Sequence, residues 1–341
     1  MGVCLKSLLH SAENKSLYDD KFHSRNDFFV IDNNEPVIDF IHANNLRMGS
    51  KSINTYDFST LYTSIPHTQL KANLLKFINR VFGFKEKPFI IPNIYTKRAY
   101  FSQGRSSNKT SFSKDELIEC VNYLIDNSFV IYQGKIYKQV IGIPMGTNAG
   151  PQIANTYLHV YEYEYIKKLI ENGDEVALKS LENIFRYQDD LISFNDSGLL
   201  GNILGDIYPK EMIVNCTNVS PRKCNYLDLC ISVYRGKFRV TLYDKRKDYS
   251  FNVISYPFLD GNIPKNLSYG VFISQLVRFA NINTTVEGFY SNICDLVKKL
   301  VNQGFNPAAL RKKFLKFYNS KLNIWCKYGV DIYDRVIKIF D

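Results

Sequence analysis

Two neighbouring carboxylates, Asp189 and Asp190, sit at the centre of Ile184-Phe185-Arg186-Tyr187-Gln188-Asp189-Asp190-Leu191-Ile192-Ser193-Phe194. The arms on either side are apolar and β-prone, and Asp is a residue that turns favour. The stretch therefore predicts a β-hairpin with both acids at its tip. Two anions between hydrophobic strands are costly unless positive charge stands beside them. Mg²⁺ meets that need, because it takes oxygen ligands and keeps coordination sites for substrate phosphates. Taken alone, such a pair is more often an exposed turn, so the choice rests on the rest of the chain.

The elements that would position these acids come in a definite order. Ile53-Asn54-Thr55-Tyr56-Asp57-Phe58 alternates as a strand and places a third acid, Asp57, near its end. A helix is predicted from Pro66 to Phe82, with Leu70, Leu74, Phe77 and Val81 on one face. Residues 84–114 read as an insertion or long hairpin with seven Lys/Arg, one acid (Glu86) and interleaved aromatics. That composition suits a single-strand groove, and it suits a solvated loop equally. A second helix is predicted from Asp115 to Ile131, with Ser113 and Glu116 as a capping box. A short hairpin through Gln133-Gly134 leads to Gln139-Val140-Ile141-Gly142-Ile143-Pro144-Met145-Gly146, where Gly and Pro allow close backbone approach to a ligand. Pro151 suits the first turn of the helix that follows. Beyond the Asp-Asp hairpin, residues 225–233 and 237–243 read as two strands around a Gly236 turn. Helices are predicted at 270–282, 286–303, 307–320 and 332–340. Residues 1–52 are weakly patterned, and the chain starts as a piece of something longer would.

Composition bounds the rest. With 341 residues, 45% of them hydrophobic, the chain can bury a sizeable core in two or three domains. The net charge of +10 suits a polyanionic partner. From Lys265 to Asp341 there are twelve Lys/Arg against five Asp/Glu. Seven cysteines without C-x₂-C spacing argue against a disulfide framework or a zinc module and fit a reducing, intracellular setting. No targeting signal is seen. The longest charge-free run, Gln139 to Tyr161, holds two prolines and three glycines, so a membrane span is rejected.

A lone Asp, then a Gly-Pro loop with a helix, then Tyr-x-Asp-Asp resembles the palm of reverse transcriptases. The longer wording of Tyr56-Asp57-Phe58-Ser59-Thr60-Leu61-Tyr62-Thr63-Ser64-Ile65-Pro66-His67 and Gly142-Ile143-Pro144-Met145-Gly146-Thr147-Asn148 is similar to Penelope-like retroelement polymerases. So are Tyr226-Leu227-Asp228-Leu229 and Leu242-Tyr243-Asp244-Lys245-Arg246. The resemblance runs from about residue 50 to the end. It implies an α+β fold, a polymerase palm with an antiparallel sheet flanked by helices, followed by an all-helical thumb. The implied limits are a remnant or partial fingers at 1–52, palm at 53–256 with the basic insertion near 84–114, and thumb at 257–341.

The activity it implies is RNA-directed DNA polymerisation, adding deoxynucleotides to a primer 3′-hydroxyl with two Mg²⁺ (or Mn²⁺) ions held by Asp57, Asp189 and Asp190. Phe58, Tyr62, Gln139, Pro144, Met145 and Gly146 would line the nucleotide, with Tyr62 excluding a ribose 2′-hydroxyl. Tyr187, Tyr226 and Leu227 would position the primer. Lys312, Lys313 and Lys316, on the basic face of the helix 307–320, would meet the nucleic-acid backbone. Tyr62 as a core tyrosine, 139–146 as an ordinary turn, and 312–316 as a solvated helix face are the alternatives. The implied partners are an RNA template, a DNA primer and deoxynucleoside triphosphates, with no membrane and a nuclear place of work. The chain departs from the family in Gly150-Pro151-Gln152, in lacking the fingers motifs upstream, and in lacking a GIY-YIG endonuclease. A non-catalytic nucleic-acid-binding remnant is therefore the second expectation.

Overall fold

The computed structural model describes residues 1–13, 28–47, 49, 51–196, 198–218, 220–251, 253–320, 327–329 and 331–340. Residues 14–27 of the N-terminal segment, Lys321 and Cys326 lie outside them. Contacts divide the chain into two units, Met1–Asp32 with Asn54–Thr217, and Asn33–Ile53 with Asn218–Asp341. Helices and antiparallel sheets are mixed throughout, as expected of an α+β chain. The described cysteines are all free. No described helix is long and apolar enough to cross a membrane.

The first unit is built on a four-stranded sheet in the order β7-β8-β1-β9 (Ile184–Tyr187, Asp190–Phe194, Ile53–Phe58, Val214–Cys216). Its alternating strands bury Phe58 and Leu191 in one core with residues of two helices, α3 (His67–Lys85) and α5 (Gly150–Asn172). In α3, Leu70, Leu74, Phe77, Ile78 and Val81 recur at helical spacing and are all buried. In α5 the buried positions run all round the helix, from Ile153 through Tyr157, His159 and Glu162 to Leu169, so it lies inside the unit. Pro151 stands in its first turn, and Gly173 closes it in the left-handed region at φ 68°; two short helices, α6 (Glu175–Leu181) and α7 (Leu199–Ile207), precede β7 and follow β8 in the chain. Each fully buried Leu or Phe of this core contributes about 1.5–3 kcal/mol.

Two helices form where the sequence showed little pattern. The first, α1 (Gly2–Glu13), buries Cys4, Leu5, Leu8 and Leu9 and packs on α5. The second, α2 (Glu35–Arg47), belongs to the second unit. Another expectation is corrected at α4, which spans Lys114–Asp126 and does not continue to Ile131. The capping box forms as expected, with Glu116 N–H donating to Ser113 Oγ (3.2 Å) and Ser113 N–H to Glu116 Oε2 (2.8 Å). Past Asn127, Phe-Val-Ile-Tyr is aromatic and β-branched and becomes β5 (Phe129–Tyr132), paired with β6 (Lys135–Lys138). Gln133 and Gly134 both take positive φ (48° and 74°), the requirement of a type I′ turn. The basic insertion forms a small sheet, β3-β2-β4 (Arg98–Ser102, Phe89–Asn93, Phe112–Ser113).

In the second unit, β10 (Lys223–Tyr226), β11 (Leu229–Tyr234) and β12 (Lys237–Leu242) form an antiparallel meander. The single strand expected over 225–233 is broken at Leu227, whose φ of 53° turns the chain. The Asn45 side chain of α2 completes β12 by bonding both the N–H and the C=O of Phe238, each at 2.8 Å. The helices α8 (Lys265–Ile282), α9 (Val286–Asn302), α10 (Pro307–Ser320) and α11 (Asp331–Ile337) enclose a core that includes Phe272, Phe289, Ile293, Phe314 and Phe317. Contact thus places α2 and β10–β12 with the C-terminal helices.

The loop before α5 depends on one glycine. Gly142 has φ 86°, donates its N–H to Ile65 O (2.8 Å), and lies so close to Tyr62 that an added Cβ would stand 2.3 Å from the Tyr62 carbonyl oxygen. Ile143 N–H bonds that same oxygen at 2.9 Å. Gly142→Ala should therefore cost about 2 kcal/mol or more in urea unfolding. Gly146→Ala, where a Cβ meets nothing within 4 Å, should be near neutral.

Candidate active site

The Asp-Asp hairpin forms as the sequence predicts, with one refinement. Tyr187 pairs with Asp190 across the ladder, so the turn is Gln188-Asp189, with Gln188 at φ 55°. Asp189 stands at the tip and Asp190 opens β8. The tip abuts β1, because Phe58 N–H donates to Asp189 O at 3.2 Å. Asp57 is thereby set beside Asp189 despite the long sequence separation. Burial raises the Asp57 carboxyl above its ordinary pKa, and the Asp189 charge raises it further. Tyr62 joins the same place. Burial and then the Asp189 charge push its phenol up to about 12, and its carbonyl carries the Gly142-Ile143 loop.

What aims the tip is a buried ion pair. Arg186, on β7 between Phe185 and Tyr187, is 0% exposed. Its Nε donates to Glu162 Oε1 (2.5 Å), its Nη2 to Glu162 Oε2 (3.1 Å), and its Nη1 to Asn155 Oδ1 (3.0 Å) and to the Gln188 carbonyl (2.9 Å). Tyr208 O–H completes Glu162 Oε1 at 2.8 Å. One guanidinium therefore ties helix α5 to the turn that carries Asp189. The backbone of Arg186 is held as well, accepting from Ile31 N–H and donating to Phe29 O. Sequence reading missed this network. Its available signal was a charge within an otherwise apolar strand, which demands a buried partner.

The remaining expected residues do not all gather at the carboxylates. Gln139, Pro144, Met145 and Gly146 line a cleft of about 1060 Å³ beside α4, and none of the three acids lines it. Phe58 and Tyr226 have buried rings, Phe58 edge-on against Tyr208. Tyr187 is half-buried next to the turn. Leu227 forms the β10–β11 turn, and Asp228 beside it accepts from Arg278 of α8 (Nη2, 2.6 Å) and from Asn34. On α10, Lys312, Lys313 and Lys316 are exposed, while Leu310, Phe314 and Phe317 are buried.

A hard divalent cation fits the Asp57–Asp189 pair, since the two carboxylates repel one another and offer oxygen donors. Among the described residues no three His, Cys, Asp or Glu side chains are gathered closely enough to hold a metal by themselves.

No protein-family model matches the chain. No curated protein matches it. Solved structures do. A telomerase from Candida albicans, in complex with a TWJ fragment of telomeric RNA, is similar over 99% of this chain and 52% of its own, with a TM-score of 0.56 at 12% identity. An apo telomerase from Candida tropicalis is similar over 98% of this chain and 54% of its own, with a TM-score of 0.51 at 14% identity. The chain spans about half the length of these telomerases. At such identities the likeness is one of fold, and that fold is an α+β polymerase palm followed by a helical thumb.

The buried pair yields a stability test. Arg186→Met strands the Glu162 charge and should cost about 3–5 kcal/mol in urea unfolding. Adding Glu162→Met should recover much of that loss, because no uncompensated charge then stays buried. A double variant as unstable as the sum of the two singles would show that the two side chains are not coupled.

Proposed function

We propose that this chain is the palm and thumb of an RNA-directed DNA polymerase of the Penelope-like retroelement type, adding deoxynucleotides to a primer 3′-hydroxyl. The observation that carries the proposal is the juxtaposition of Asp57 on β1 with Asp189 at the β7–β8 tip, where the Asp189 charge adds to burial in raising the Asp57 carboxyl. Likeness of fold to telomerases over nearly the whole chain supports it.

Asp57, Asp189 and Asp190 are the residues to hold Mg²⁺ or Mn²⁺. Such ions, when bound, lower the pKa of the attacking hydroxyl and neutralise the triphosphate and leaving pyrophosphate. The chain's own side chains supply orientation. Arg186 fixes the turn so that Asp189 does not swing away from Asp57. Tyr62, anchored through its carbonyl by Ile143, presents a ring beside Asp189 that would exclude a ribose 2′-hydroxyl. The 139–146 loop would border the nucleotide and the templating base, and Phe58 would contribute through its backbone. Tyr187 and the Tyr226-Leu227 turn would position the primer, and Lys312, Lys313 and Lys316 would track phosphates. The partners are an RNA template, a DNA primer and deoxynucleoside triphosphates, and the place of work is nuclear.

A second reading, a non-catalytic nucleic-acid-binding remnant, is favoured by the absence of a ready-made three-carboxylate cage among the described residues. Primer extension separates the two. On an RNA template with Mg²⁺ or Mn²⁺, the chain should extend a DNA primer, Asp189→Ala should lower the rate at least about 10²-fold, and Tyr62→Ala should admit ribonucleotides. Binding to the hybrid without extension would favour the remnant.

A further inference from the structure

Among the described residues the β5–β6 hairpin pairs only with itself. All eight of its strand residues are exposed, and six are aromatic or aliphatic, with Ile131 at 76%, Tyr132 at 63% and Tyr137 at 47%. A lone two-stranded hairpin is marginal in water, and an exposed apolar edge pair invites association. Such a surface is accounted for by a partner.

Its register says which partner. Opposed residues share a face, so Val130, Tyr132, Lys135 and Tyr137 project to one side and Phe129, Ile131, Ile136 and Lys138 to the other. One face thus carries two tyrosine rings around an ammonium group. From Asn127 to Tyr161 the chain has no Asp or Glu, and Lys135 and Lys138 are its only fixed charges. Rings on which planar groups stack, interleaved with cations and free of anions, are complementary to an unpaired nucleic-acid strand. The hairpin is also continuous with the loop proposed to border the nucleotide. β6 ends one residue before Gln139, and Phe129 and Val130 at the hairpin base line the same cleft as Met145 and Gly146.

We propose that the β5–β6 hairpin is a stacking platform for single-stranded nucleic acid, holding the unpaired part of the template next to the cleft. The assignment to the template rests on the polymerase reading; the affinity for a single strand does not. Bases would lie on Tyr132 and Tyr137, and phosphates would meet Lys135 and Lys138.

The test uses the full chain and two double variants, Tyr132→Ala/Tyr137→Ala and Lys135→Glu/Lys138→Glu. Because the altered side chains are exposed, melting temperatures should match the parent. Fluorescence anisotropy compares a labelled primer–template bearing a single-stranded template overhang with a blunt duplex. The parent should prefer the overhang. Loss of the two rings should weaken overhang binding about tenfold or more and leave the blunt duplex unchanged, since each stacked base is worth at least about a factor of five. The lysine reversal should flatten the log–log salt dependence for the overhang by at least about 1.4, two single-strand phosphate contacts. No overhang preference in the parent, or a preference that survives loss of both tyrosines, would overturn the platform. So would flotation with phosphatidylserine vesicles, or dimerisation in light scattering, that the tyrosine variant abolishes while overhang binding persists. Absence of extension by a parent with tyrosine-dependent overhang binding would defeat the polymerase reading and leave the platform standing.

Discussion

Everything at the carboxylates depends on one buried charge pair. A guanidinium shut away from water is tolerated only if its donors are met, and here Glu162, Asn155 and the Gln188 carbonyl meet them. Because the partners come from a helix and a turn, satisfying Arg186 also fixes the angle of the β7–β8 tip relative to α5. A hydrophobic substitute could fill the space but could not hold the turn carbonyl. The pair therefore gives direction to the site, and stability is the smaller part of its effect.

The opposite electrostatic condition holds a few residues away. Asp57 and Asp189 are brought together by strand adjacency, and the Asp189 charge adds to burial in raising the Asp57 carboxyl. Beneath the sheet, Phe58 packs edge-on against Tyr208, and Leu191 lies in the buried core of the unit. A satisfied ion pair inside and two neighbouring acids at the rim make a preorganised anionic edge. That arrangement suits a metal-assisted reaction on phosphates, where charge must be ready before substrate arrives.

The sequence was legible where chemistry and periodicity coincided. The Asp-Asp hairpin, the Ser113–Glu116 capping box, the Gln133-Gly134 turn and the amphipathic 307–320 helix each carry a local signal and form as read. What was not legible is non-local. Helix α1 shows only four buried residues in a short span, and α2 has a weak apolar stripe. In the sequence, β5 reads as the end of α4, because a short apolar run fits both periods. Leu227 gave no warning of its positive φ. At the site, Asp57, Tyr62 and Asp189 were recognisable from motif wording, whereas Gln139, Pro144, Met145 and Gly146 line a neighbouring cleft. Arg186 and Glu162 escaped notice because their partnership spans a helix and a strand.

The central claim is that Asp57 and Asp189 stand close enough to feel one another's charge. A carboxyl-detected NMR titration of Asp57, in the parent and in Asp189→Asn, measures this directly. Asp57 should titrate above the ordinary carboxylate range in the parent, and lower once the Asp189 charge is removed. The sign carries to stability. A raised folded pKa disfavours the charged form, so the fold is strained by Asp57 as pH rises through that pKa and relieved below it. An Asp57 that titrates as an ordinary aspartate, or that ignores the loss of Asp189, would contradict the account.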